Sequence, residues 1–250
     1  MVRTLLIIAA ASFVLMLVSL SGAAAIGGPE LMRGGWTLDL NDWDDDSRQT
    51  VEWSGPVVER ALDWSGTDTL TIAVPADVTF TQGEEASVVI RGPEGAVQRV
   101  TLVDGHLSLP AGDGGDNQIT IFGRGQGMTV EITAPDVSRF VLEGHGNLTL
   151  NNMDREALDI RVEGAGDIEA TGTAASLNLV IDGAGEADLA DLTTQTADVR
   201  IEGAGDAEIN ASQSANVVID GVGNVDLVQR PARLTQDISG VGSVRVGSEE

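Results

Sequence analysis

Glu163-Gly-Ala-Gly-Asp167, Asp182-Gly-Ala-Gly-Glu186 and Glu202-Gly-Ala-Gly-Asp206 are three copies of one short step. Three relatives of it read Glu143-Gly-His-Gly-Asn147, Asp220-Gly-Val-Gly-Asn224 and Ser239-Gly-Val-Gly-Ser243. The first glycines (Gly144, Gly164, Gly183, Gly203, Gly221, Gly240) follow one another at intervals of 20, 19, 20, 18 and 19 residues, and the second glycines are Gly146, Gly166, Gly185, Gly205, Gly223 and Gly242. A period near twenty built on a fixed glycine corner is the sequence sign of a solenoid. A single Gly-x-Gly could instead cradle a phosphate, but the repetition, the flanking acids and the lack of a following helix argue against it.

Aligning the copies on the first glycine exposes four apolar columns. Two residues before it stand Leu142, Val162, Ile181, Ile201, Ile219 and Ile238; four before it, Phe140, Ile160, Leu179, Val199 and Val217, with Gln236 as the exception in the last copy. Four after it come Leu148, Ile168, Ala187, Ala207, Val225 and Val244; six after it, Leu150, Ala170, Leu189, Ile209, Leu227 and Val246. Spacing by two on both sides of a corner describes two short strands that point alternate side chains into one interior. Glycine at the corner allows positive φ and close stacking of successive coils. The fold class expected is therefore all-β: a right-handed parallel β-helix with about 19–20 residues per rung, its hand following the usual crossover rule, its third side left to variable stretches such as 172–176 and 191–195.

The outward positions are acidic. Glu143, Glu163, Asp182, Glu202, Asp220 and Ser239 stand just before the corner, and Asn147, Asp167, Glu186, Asp206, Asn224 and Ser243 stand just after it. Stacked in register they form two ladders of like charge, which repel. Arg161 and Arg200, two residues before Glu163 and Glu202, are placed to relieve part of that repulsion.

Composition agrees with this picture and excludes several functions. Aromatic residues are 3% of the chain, there is no cysteine, and 39 acids face 14 basic residues for a net charge of −25. Such a surface repels phosphate backbones and anionic headgroups, so nucleic acid is excluded as a partner and a membrane is not bound by charge. Cations and partners with basic patches are favoured. Without cysteine there are no disulfides, thiol nucleophiles or thiolate metal sites.

Along the chain, residues 1–25 combine Arg3, an apolar run from Leu5 to Leu20 and the small pair Ala23 and Ala25, which reads as a signal peptide cut after Ala25. The alternative is an uncleaved membrane anchor, the only route by which the chain would contact a bilayer. Residues 26–65, with Asp42, Asp44, Asp45 and Asp46, read as an acidic mobile tether; Trp36, Trp43, Trp53 and Trp64 either stack on a ligand or fold back over an open end of the β-body. Residues 66–135 alternate with less regular turns and are expected to form the first strands, an irregular β cap; residues 136–250 carry the regular repeats.

Two sharper uses of the acids can be weighed. Calcium needs six to eight converging oxygens; the acids that would serve it are Glu163, Asp167, Asp182, Glu186, Glu202 and Asp206, but no converging loop motif accompanies them. Glycoside hydrolysis needs two carboxylates at a fixed separation, and the repeat already accounts for every acid without catalysis. His106 opens a strand after the turn Asp104-Gly105, and His145 fills the variable middle slot of a corner. With no nucleophile and base brought together, the chain is expected to be no enzyme, with no cofactor and no metal.

The order of parts Leu70-Thr-Ile-Ala-Val-Pro75, Val78-Thr-Phe-Thr-Gln-Gly83, Ser87-Val-Val-Ile-Arg-Gly92, Asp104-Gly-His-Leu-Ser-Leu109 and Ile132-Thr-Ala-Pro135, followed by the Gly-Ala-Gly-Asp corners, resembles the GIN-domain family. This bacterial domain carries the label of an autotransporter-adhesin head, and the resemblance spans about residues 60 to 247. It implies an exported β-helix of the periplasm, cell envelope or extracellular space, adhesin-like or structural, and supplies no catalytic residues. The expected partners are an envelope protein, a glycan, or a second copy stacked on an open end. The alternatives kept beside this are a carbohydrate-active β-helix enzyme and a calcium-stabilised envelope stress protein.

Overall fold

Alternation with period two, punctuated by glycine, becomes strand throughout residues 56–110 and 127–247, the part of the chain described by this computed structural model. The elements in order are β1 (Val57–Leu62), β2 (Thr69–Ala73), β3 (Ala76–Gln82), β4 (Ser87–Pro93), α1 (Glu94–Val97), β5 (Thr101–Val103), β6 (His106–Ser108), β7 (Met128–Ala134) and β8 (Arg139–Leu142). There follow β9 (Leu148–Val162), β10 (Ile168–Ile181), β11 (Ala184–Ile201), β12 (Ala204–Ile219), β13 (Val222–Leu227), β14 (Arg233–Ile238) and β15 (Val241–Val246). The coils stack as a β-solenoid of about 5 turns, as the periodicity requires.

Two walls meet at the glycine corner. Before the corner, β6, β2, β8, the C-terminal parts of β9 to β12, and β14 pair in parallel. After it, β7, β3, the N-terminal parts of β9 to β12, β13 and β15 do the same. The register puts the aligned columns side by side, for example Ile160 against Leu179, Leu179 against Val199 and Val199 against Val217. All four of these side chains are buried.

The interior holds more than the four columns. Leu158, Leu177, Ala197 and Ala215, six residues before the first glycine, continue the inward alternation and are buried. The third wall, expected as variable connection, is also strand: β9 to β12 run through it without a break, with register shifts between Ala170 and Gly172 and between Leu189 and Thr193. Those shifts absorb the unequal repeat lengths. Thr194, the one buried polar side chain among the described residues, donates its hydroxyl to the carbonyl of Asn210 at 2.8 Å, so its burial leaves no unmet donor. Phe80 and Phe140 meet edge-on at 4.9 Å in the interior, the geometry their ring quadrupoles favour.

The first half does not stack in chain order. The coil β2–β3 turns at Val74 and Pro75 and lies between two coils that come later in the chain: β6 and β7 on one side, β8 and β9 on the other. The N-terminal end then reverses direction. β4 runs antiparallel to β7, β1 antiparallel to β4, and β5 antiparallel to β6. Ala96 and Val97 of α1, with Val100, plug the end of the core. Residues 57–62, inside the stretch read as a tether, thus form β1; residues 26–55 of that stretch, with Trp36, Trp43 and Trp53, and the signal segment lie outside the described residues. Trp64 is half-buried and packs against the core.

The other end is open. Ile238 belongs to the inward column but is 38% exposed, and Leu234, Val244 and Val246 are only half-buried, because no further coil lies over them among the described residues.

Candidate functional surface

The corner is built by proximity more than by dihedral angle. Only Gly146 (φ 139°) and Gly166 (φ 158°) among the corner glycines have positive φ, so that part of the expectation holds for one corner position in two rungs. What every copy shares is contact with the rung before. A Cβ on Gly164, Gly183, Gly203, Gly221 or Gly240 would lie 1.9–2.0 Å from the carbonyl oxygen of the first glycine one rung back. At the second position, Gly185, Gly205, Gly223 and Gly242 meet the preceding second glycine in the same way. Only hydrogen fits there.

The ladder before the corner is neutralised in steps. Arg161 lies 2.5 Å from Glu163 of its own rung and 3.3 Å from Asp182 of the next. Arg200 repeats the arrangement with Glu202 at 3.4 Å and Asp220 at 2.9 Å. Val141, Val180 and Val218 occupy the same outward column in the alternate rungs, so each arginine has room to bridge two coils. Hydrogen bonding by Glu163, reinforced by the charges of Glu163, Asp182 and Glu202, raises the pKa of the Arg161 guanidinium above its ordinary value. Glu143 has no arginine and instead faces His106 Nε2 at 3.6 Å.

The ladder after the corner is held by the backbone. Asp77 accepts the N–H of Asn147, Asn147 that of Asp167, Asp167 that of Glu186, and Asp206 that of Asn224, at 2.6–3.3 Å. Each side chain thus ties one coil to the next. Glu186 is the longer side chain in this column and makes no such bond to Asp206; Ser243 closes the ladder by donating to Asn224 Oδ1 at 2.8 Å.

A third acidic ladder lies two residues further on and was not singled out from the sequence. Glu169 pairs in register with Asp188, Asp188 with Glu208, and Glu208 with Asp226; only at the last rung does Arg245 answer, 3.5 Å from Asp226. Because inward columns sit at four and six residues after the glycine, the acids at three and five share one outward face. The signal was the alternation itself, hidden because these acids fall between the apolar columns instead of beside the glycine. Asp167, Glu169, Glu186, Asp188, Asp206, Glu208 and Asp226 form a grid with a rung spacing of about 4.8 Å.

On the other wall the outward column alternates in kind: Arg139, Asp159, Asn178, Asp198, Asn216. Arg139 Nε donates to Asp159 at 3.1 Å, Asn178 to Asp159 at 3.1 Å and Asn216 to Asp198 at 3.2 Å. An open groove of about 290 Å³ runs beside Asp68, Ser138, Arg139, Asp159, Asn178 and Asp198.

The calcium candidates Glu163, Asp167, Asp182, Glu186, Glu202 and Asp206 fall in two columns on opposite sides of the corner. Among the described residues, no group of three or more histidine, aspartate or glutamate side chains gathers to hold a metal ion. His106 begins β6 and His145 is exposed at its corner, bridged in parallel to Ala165. The two histidines thus lie apart, one on a strand and the other at a corner outside the strands.

A solved structure shares this architecture. The chain is similar to a crystal structure of a putative adhesin from Bacteroides fragilis NCTC 9343, with 19% identity and a TM-score of 0.60 over 78% of this chain and 99% of that one. A putative adhesin from Parabacteroides merdae ATCC 43184 aligns over 78% of this chain and 97% of its own at 15% identity, with a TM-score of 0.46. No curated protein matches the chain. The family described as "Putative auto-transporter adhesin, head GIN domain" matches residues 67–231, from the first strand of the interleaved coil to the penultimate rung. The chain belongs to the GIN-domain family.

Proposed function

We propose that this protein is a non-catalytic interaction scaffold working outside the cytoplasm, at the cell envelope or surface, and that the face carrying the Glu169–Asp188–Glu208–Asp226 ladder is its adhesive surface. The observation that carries the reading is the asymmetry between ladders. Glu163, Asp182, Glu202 and Asp220 before the corner are answered by Arg161 and Arg200, and Asp167 and Asp206 after it each accept a backbone N–H of the next rung, whereas Glu169, Asp188 and Glu208 have no arginine among the described residues, stand in direct register and are tied to no neighbouring rung, Asp188 accepting only the N–H of Ala190 on its own strand. Like charges stacked in this way destabilise a sheet. A face retained at that cost suits a cationic partner, such as a basic envelope protein or an amine-bearing glycan, whose approach relieves the repulsion. The family and the similar solved structures, both described as putative adhesins, support an adhesive role over a catalytic one.

The test is a binding screen of the full chain against envelope proteins and neutral, acidic and amine-bearing glycans, with and without Ca²⁺. A variant carrying Glu169→Gln, Asp188→Asn, Glu208→Gln and Asp226→Asn keeps the fold and loses the cationic ligands. Unchanged binding by that variant, or turnover of any glycan by the parent protein, would overturn the reading.

A further inference from the structure

The groove on the wall before the corner has a chemistry of its own. It follows the outward column five residues before the first glycine, where Thr69, Arg139, Asp159, Asn178 and Asp198 stand in register on five successive rungs. A neighbouring outward column of small side chains, Ala157 and Ser176, makes the hollow beside them. With strands about 4.8 Å apart, the line from Thr69 to Asp198 is about 19 Å long. That length with a volume of only about 290 Å³ describes a narrow trough, which suits an extended chain laid along the stack.

The polar groups of the trough hold one another and keep bonding capacity in reserve. Arg139 Nε donates to Asp159 Oδ2, and Asn178 Nδ2 donates to Asp159 Oδ1, both at 3.1 Å. A carboxylate only accepts, so the Asn178 amide turns its nitrogen to Asp159 and leaves Oδ1 unused. One rung on, Asp198 accepts Asn216 Nδ2 on Oδ1 at 3.2 Å and leaves Oδ2 unused. Asn178 and Asp198 are neighbours in register, yet no hydrogen bond joins them: two acceptors meet there with no donor among the described residues. Two rungs back from Asn178, the terminal amino groups of Arg139 have no acceptor among the described residues, and the side chain is 58% exposed. Donors at one end and acceptors at the other, fixed before a ligand arrives, complement hydroxyl groups, each of which both gives and takes a hydrogen bond. A chain of uniform charge meets a like charge at Arg139 or at Asp198, which favours a neutral one.

The column also repeats at every second rung, with carboxylates at Asp159 and Asp198 and amides at Asn178 and Asn216. Its period is about 9.6 Å, twice the strand spacing. In an extended glycan with β-1,4 links each pyranose ring is turned over relative to the last, so like groups recur at every second ring, and one ring advances by about the height of a rung. We propose that this groove binds a linear β-1,4-linked glycan of neutral rings, whose hydroxyls donate to Asn178 Oδ1 and Asp198 Oδ2 and accept from Arg139. The site lies on a different wall from the Glu169 ladder and does not depend on what that ladder binds.

Titration of the full chain with cellotetraose, chitotetraose and maltotetraose, followed by NMR, tests the proposal. At least one of the two β-1,4 tetrasaccharides is expected to bind with a Kd of about 1 mM or tighter, and with little dependence on salt, because no charge is neutralised. Maltotetraose, whose α links curl the chain, should bind about tenfold or more weakly than that ligand. Arg139→Met and Asp198→Thr, both at exposed positions, should each weaken binding about tenfold, the worth of a hydrogen bond to a charged group; circular dichroism and melting verify their folds. The variant carrying Glu169→Gln, Asp188→Asn, Glu208→Gln and Asp226→Asn should bind the glycan as the parent does, which separates this groove from the ladder. The proposal is overturned if neither β-1,4 tetrasaccharide binds at about 10 mM, if maltotetraose binds equally well, or if both groove variants bind as the parent does. A groove that takes a tri-lysine peptide and none of the sugars overturns it too.

Discussion

Asp206 Oδ1 accepts both the backbone N–H and the side-chain amide of Asn224, at 2.6 and 2.9 Å, binding one rung to the next just after the glycine corner. An acceptor at this position matters more than its charge. Asp206→Ala leaves a backbone donor without its partner and is expected to cost about 1 kcal/mol, a hydrogen bond's ordinary net value. Asp206→Asn keeps an acceptor and removes a charge from an acidic ladder, so its cost should be smaller. Urea denaturation of the two variants separates the hydrogen bond from the charge.

The corner glycines give the sharpest contrast. Gly203→Ala would place its Cβ 2.0 Å from the carbonyl oxygen of Gly183, and the expected loss is about 3 kcal/mol or more, because backbone on both sides must move. Gly95→Ala in α1 meets nothing within 4 Å and should be neutral or gain up to about 1 kcal/mol through helix propensity. Thermal melting of both variants decides whether the glycines are there for space.

Arg161 and Arg200 each bridge two rungs, but at exposed positions. Arg200→Gln is expected to cost about 0.5–1 kcal/mol at low ionic strength. At about 1 M salt, where the Debye length is near 3 Å, most of that difference should vanish. Denaturation midpoints for parent and variant at the two salt concentrations test the claim, and a salt-independent loss would show that the side chain acts by packing its stem.

Core position should set the cost of a deletion along a single wall. Leu179→Ala, wholly buried in mid-stack, is expected to lose about 2–5 kcal/mol. Ile238→Ala, in the same wall on the open last rung and 38% exposed, should lose about 1 kcal/mol or less in dilute monomer. Equal losses at the two sites would mean that the last rung is covered in solution.

The apolar columns were legible because glycine fixes the phase and alternation does the rest: Ile160, Leu179 and Val199 fall inward by counting alone. Leu158, Leu177, Ala197 and Ala215 obey the same count but lie further from the marker, and two of them are alanines that also suit a connection. Arg161 and Arg200 could be assigned their acids from spacing on one strand. The Glu169 ladder could not be ranked above the others, because its distinction is that no arginine reaches Glu169, Asp188 or Glu208 among the described residues, a property of neighbouring rungs. The interleaved coil was hidden for a deeper reason. Which parallel strand lies beside β2 is decided by packing between distant residues, and nothing local in Thr69–Ala73 names β6 and β8 as its neighbours.

That interleaving also divides the molecule in time. Ile160 meets Leu179 across a separation of 19 residues, whereas Leu70 meets Phe140 across 70. Closing the longer loop costs about 1 kcal/mol more entropy by the logarithmic rule, and distant pairings slow folding. The repeats from β9 onward can zip from one another with short closures, while β2 and β3 must be seated between partners that the chain supplies only later. The seam at Leu70 and Phe140, not the repetitive body, is therefore where the rate of reaching the native state is set.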